Sequence, residues 1–194
     1  MKINSDKGEI LKLLRKSLIN NDQQVVTVDI GEDIFTPYND YPVMVFAEKL
    51  SSNGGVFVYC RNEAELFDKL RSLAIYRKWS KYNAYSSNLQ MYLQANGLSS
   101  TLADSQVSVG ISLCQGIVAR TGSIIITSAQ GAGTTLVHFP QIMIVIAMTS
   151  QIYTSYKQIL NMLPETPPEW VLSIKSGKLI EEEIKELYLF VVEE

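Results

Sequence analysis

Apolar residues recur with a helical period in some stretches of the chain and as short continuous runs in others. Asn4 or Ser5 can cap a first helix with Ile10, Leu11, Leu14 and Leu18 on one face and Lys12, Arg15 and Lys16 elsewhere. Val25 to Ile30 predicts a short strand, and the stretch to Asp40 a loop. Pro42 suits the first turn of a second helix, in which Val43, Phe46, Ala47 and Leu50 share a face. Gly54-Gly55 ends it, because glycine takes the left-handed cap conformation at little cost. Val56 to Cys60 reads as a strand of the buried, parallel type. Asn62 and Glu65, three apart, predict a capping box for a helix with Leu66, Phe67, Leu70, Leu73 and Ala74 as its apolar stripe.

Asn83 to Ser86 then predicts a short strand, and Leu89 to Ala95 a short helix closed by Gly97. Gln106 to Leu113, Ser123 to Ser128 and Ile142 to Ala147 predict core strands rich in Ile and Val. Thr149 to Leu160 predicts a helix, and Pro164, Pro167 and Pro168 a stiff connection. Trp170 to Ile174 and Leu187 to Val192 predict two last strands. Strands alternating with helices indicate a single α/β domain over residues 1–194, with a largely parallel sheet.

Composition narrows the chemistry. With 194 residues and 46% hydrophobic content, the chain can bury one sizeable core and is not of the disordered class. A formal net charge of -3 argues against a nucleic-acid partner bound by phosphate neutralisation. Two cysteines and one histidine make a disulfide scaffold, a self-held iron–sulfur cluster or a catalytic zinc site poor expectations, so no metal and no cofactor is expected. The longest strongly apolar run, Ile142 to Met148, is far shorter than the roughly 20 residues of a membrane helix. Met1 to Asn20 lacks the apolar core of a leader, so no membrane span and a cytoplasmic location are expected.

The segment from Gly110-Ile111-Ser112 to Ala119-Arg120-Thr121-Gly122-Ser123 leads into an aliphatic strand. Backbone N–H groups and hydroxyls at such a turn can hold an anion, or they can satisfy one another in a tight strand connection. Gly131 and Gly133 lie in a second glycine-bearing loop that lacks the lysine and spacing of a P-loop. His138 can act as a lone base or sit in an apolar setting beside Phe139 and Pro140. Cys114, in the turn region, is a better candidate for a reactive thiol than Cys60. Tyr82, Tyr85 and Tyr92 have no basic stripe beside them, which points to packing and not to base stacking.

These residues resemble a known family. Gly110-Ile111-Ser112 with Ile117 to Ser123 is similar to the G-I-T…I-A-E-T-G-T signature of the LUD domain, of the lactate utilization protein C type. Phe139 to Ile146 resembles its L-P-x-x-H-I-x-V-x strand, and Lys185 to Val191 its closing K-E-L-x-V strand. The likeness runs from about Pro42 onward, leaving 1–41 as a divergent helix and strand. It implies a three-layer α/β fold of the CoA-transferase and ribose-5-phosphate isomerase type. It also implies an accessory role beside iron–sulfur oxidoreductase subunits in L-lactate oxidation. Arg120 stands where the family has an acidic residue, Met143 stands where it has histidine, and the G-P-S-x-T-A-D-I-E segment is missing.

Three readings follow. In the first, a LUD-type accessory protein binds a small carboxylate or phosphate, with Arg120, Thr121, Gly122, Ser123, Gly131, Gly133, His138 and Pro140 as ligand-binding candidates. In the second, a non-catalytic scaffold of the same fold works through protein partners. In the third, the chain is a CoA-transferase-like or isomerase-like enzyme, although no carboxylate in it has a motif that nominates it as a nucleophile.

Overall fold

A computed structural model describes residues 41–102, 104, 106–130, 140–163, 168–175 and 184–194. The helix and strand expected before Asp40 lie outside them. Four helices are described: α1 (Pro42–Ser52), α2 (Glu63–Arg77), α3 (Ser87–Ala95) and α4 (Tyr156–Asn161). The strands are β1 (Val56–Cys60), β2 (Tyr82–Ala84), β3 (Ser100–Leu102), β4 (Val109–Leu113) and β5 (Gly116–Val118). They continue with β6 (Ser123–Thr127), β7 (Ile142–Met148), β8 (Ile152–Tyr153), β9 (Val171–Lys175) and β10 (Glu186–Val192).

Six strands form one wholly parallel sheet in the order β1-β10-β7-β4-β2-β3. Its central strands are buried on both faces. On β7, Ile144 and Ile146 join one apolar cluster while Met143, Val145 and Ala147 join another. On β10, Tyr188, Phe190 and Val192 divide from Leu187, Leu189 and Val191 in the same way. Such strands cannot show an alternating pattern, and this is why both read as continuous apolar runs. The first cluster includes Leu66, Phe67 and Leu70 of α2 and Leu89 and Leu93 of α3. The second includes Phe46 and Leu50 of α1 and one face of a smaller sheet, β8-β5-β6-β9, through Ile117, Ile124, Ile126 and Ile174. In that smaller sheet β5 pairs antiparallel with β6 and parallel with β8, and β6 pairs antiparallel with β9. Val118 and Ile125 on its other face pack with Ile159 of α4. The layers are thus α2 and α3, the parallel sheet, and a smaller sheet with α1 and α4, a three-layer α/β architecture.

Three expectations change. β1 is parallel, but it lies at the sheet edge with Val56 and Tyr59 exposed, so it is not the doubly buried strand its apolar run suggested. The helix expected over Thr149 to Leu160 is broken into a 3-10 turn (Thr149–Gln151), β8 and α4. Side chains there compete with the helical backbone: Gln151 Oε1 accepts from Met148 N at 2.8 Å, and Gln158 Oε1 accepts from Thr154 N at 2.9 Å. The region read as a turn after Leu113 contains β5, a strand too short to show a period.

The start of α2 carries a divided capping box. Asn62 Oδ1 accepts from Glu65 N at 2.9 Å, while the Glu65 carboxylate accepts from Arg61 N at 2.9 Å instead of from Asn62. Lys69 and Arg61 pair with the same carboxylate. Hydrogen bonds from these three groups pull the Glu65 pKa down to about 2. A depressed folded pKa gives stability that is complete above the unfolded carboxylate value and is lost as pH falls toward 2. Side-chain NMR titration should find Glu65 still ionised at pH 3, and Glu65→Gln should reduce the acid sensitivity of the first turn of α2.

Candidate functional site

The turn between β5 and β6 is closed by its own backbone. Thr121 N and Gly122 N both donate to Val118 O, at 3.3 and 3.0 Å. Gly122 has φ +65°, and a Cβ there would stand 2.9 Å from Lys49 Cβ of α1, so the position needs glycine on both counts. Ser123 is completely buried. Its hydroxyl accepts from Thr121 Oγ1 at 2.8 Å and from Tyr156 Oη at 2.5 Å, and Tyr156 Oη lies 3.1 Å from Ser173 Oγ. The turn's hydroxyls therefore face inward, in a network that ties β6, β9 and α4 together. Arg120, beside them, is exposed.

The turn motif itself does not point to Tyr156 or Ser173. Ser173 was in reach, since β9 pairs with β6 and alternation puts it on the same face as Ser123. Tyr156 was hidden by the false continuous helix. Tyr156→Phe should cost about 0.5–1.5 kcal/mol, because it removes one of the two hydrogen bonds that the buried Ser123 hydroxyl accepts, leaving Thr121 as its donor. Chemical denaturation would measure this, and a loss near zero would show that the network does not hold the turn.

The other candidates do not gather here. Pro140 is buried ahead of β7 and packs over Gly110 on β4. Tyr85 reaches the same glycine, and its buried hydroxyl has no hydrogen-bond partner among the described residues. Burial alone raises the Tyr85 pKa. Met143, in the family's histidine position, is completely buried and pairs in register with Gly110. Gly131, Gly133 and His138 lie outside the described residues. Cys114 is buried, and burial pushes its pKa up to about 12, so almost no thiolate forms near neutral pH. Tyr92 packs edge-on against Phe67, in keeping with a packing role for the tyrosines. Among the described residues, no group of three His, Cys, Asp or Glu side chains could hold a metal ion. None of their helices is long and apolar enough to cross a membrane.

An all-parallel sheet backed by α2 and α3 on one face and by α1 with a smaller mixed sheet on the other defines a three-layer α/β protein. The sequence profile of the LUD domain matches residues 100–172, which enclose β4 to β8, the Arg120–Ser123 turn and Pro140. The fold is similar to the crystal structure of a DUF162 family protein from Deinococcus radiodurans, at 14% identity and a TM-score of 0.59. That similarity covers 78% of this chain and 96% of the other. No curated protein matches the chain. Residues 100–172 are thus similar to the LUD domain, of a family associated with lactate utilization.

Proposed function

We propose that the protein is a LUD-type accessory protein in the utilization of L-lactate or a related 2-hydroxy acid. It works by contact with iron–sulfur oxidoreductase subunits, and it displays Arg120 to a carboxylate on such a partner. The observation that carries this reading is the division within the Arg120–Ser123 turn. Ser123 and its network are turned into the protein, while Arg120 stands at the surface inside the LUD-matched segment. Buried hydroxyls that satisfy one another are poorly placed to hold a small ligand, and this favours protein contact over small-anion binding at the turn.

The test compares wild type with Arg120→Glu. The variant should remain folded by circular dichroism, because Arg120 lies at the surface and outside the core clusters. It should lose co-purification with iron–sulfur oxidoreductase subunits. Calorimetric binding of pyruvate or a sugar phosphate that Arg120→Glu abolishes would instead restore the small-ligand reading of the turn.

A further inference from the structure

Three glutamine side chains surround the carboxyl ends of β4 and β7, at the opposite end of the smaller sheet from the Arg120–Ser123 turn. Gln115 follows the end of β4, Gln130 closes a 3-10 turn after β6 (Ser128–Gln130), and Gln151 closes the one after β7. Their orientations are set by groups that can only donate. Thr127 N donates to Gln130 Oε1 at 2.7 Å, and Met148 N to Gln151 Oε1 at 2.8 Å. A backbone N–H cannot accept, so the amide oxygens are assigned, and the nitrogens with them. Gln130 Nε2 then donates to Gln115 Oε1 at 2.9 Å, and Gln151 Nε2 to the Cys114 carbonyl at 2.9 Å.

This chain of bonds leaves a surplus of one kind. Among the described residues, Gln115 Nε2 bonds no acceptor, and Gln130 and Gln151 each keep a second N–H. The amide oxygens are engaged, so three half-buried side chains present donors. The topology gives a second, independent reason to look here. β2 leaves through α3 toward β3 on one face of the parallel sheet, while its neighbour β4 leaves through the smaller sheet toward β7 on the other. The switch point therefore lies between β2 and β4, with Gln115 following β4 at its edge, and open α/β sheets take ligands outside the strand carboxyl ends near such a point. Leu113, 38% exposed at the end of β4, adds an apolar surface.

We infer that Gln115, Gln130 and Gln151 form a binding site for the oxyanion of a small molecule, a carboxylate or a phosphate, held by amide N–H donors at the carboxyl ends of β4 and β7. An oxyanion spreads its charge over several acceptor oxygens, which matches a cluster of donors. The site does not depend on Arg120 or on the partner reading.

The test follows the glutamine side-chain amide resonances by 1H–15N NMR while L-lactate, pyruvate or inorganic phosphate is added. Saturable shifts of the Gln115, Gln130 and Gln151 amides are expected with at least one probe. A response to L-lactate or pyruvate alone assigns a carboxylate, and a response to phosphate alone assigns a phosphate. Gln115→Glu keeps an acceptor for Gln130 but replaces the outward donor, and should weaken binding about tenfold or more. Gln115→Leu, which removes the donor without adding charge, should weaken it as well. No saturable shift with any probe up to tens of millimolar would overturn the inference, as would unchanged affinity in both variants.

Discussion

Phe190→Ala is expected to destabilise the protein by about 3–5 kcal/mol, the range for emptying a large aromatic site in a packed core. Phe190 is 1% exposed on β10, which lies between β1 and β7 and pairs with both. Its side chain belongs to the cluster that seats α2 and α3 on the parallel sheet. The cost has two sources, the lost transfer of the ring from water and the cavity that rigid strands on both sides cannot close. Phe190→Leu keeps much of the volume and should cost less. Ile75→Ala, at a position 79% exposed, should stay within about 0.5 kcal/mol. Urea denaturation of the three variants checks the order. A loss under about 1 kcal/mol for Phe190→Ala would mean that the site collapses and that the sheet is not the rigid frame described.

Gly110→Ala should cost about 1–3 kcal/mol through overpacking. A Cβ at Gly110 would stand 2.6 Å from Pro140 Cγ, 2.7 Å from Tyr85 Oη and 2.9 Å from Tyr85 Cε2. No one of these groups can withdraw alone, because Pro140 is a rigid ring and Tyr85 is buried. Gly54 offers the contrast: its φ of +87° strains any L side chain, but no atom lies within 4 Å of its Cβ position. Gly54→Ala should therefore respond to backbone strain alone, at about 1–2 kcal/mol. Tyr85→Phe removes only a buried hydroxyl with no partner among the described residues and should be neutral or stabilising. Thermal denaturation of the three variants separates steric crowding from backbone strain and from hydroxyl burial.

Much of the fold was legible because its central strands and long helices carry strong local signals. The stripe of α2 and the apolar runs of β7 and β10 are long enough to declare their type. What stayed hidden was short or set by side chains. β5, at three residues, shows no period. β8 and α4 hid inside one apparent helix, because the breaks come from Gln151 and Gln158 bonding nearby backbone groups. The edge position of β1 depends on strand order, and an apolar run does not encode strand order.

The candidate site was legible in part. The Thr121-Gly122-Ser123 motif located the turn and its demand for glycine, and period-two alternation could have added Ser173. No local pattern shows that the Ser123 hydroxyl points inward, because that follows from Tyr156 on an element 33 residues away. Gln115, Gln130 and Gln151 form no motif at all. They meet only because the carboxyl ends of β4 and β7 adjoin in the parallel sheet and β6 returns to the same place.

The proposed role of this protein is contact with a partner protein through Arg120. The most direct measurement is affinity purification of the wild-type chain and of Arg120→Glu from cells that make it, with the co-eluting proteins identified by mass spectrometry. Iron–sulfur oxidoreductase subunits are expected with the wild type and are expected to be lost with the folded variant. A wild-type protein that elutes alone, or subunits retained equally by Arg120→Glu, would contradict it.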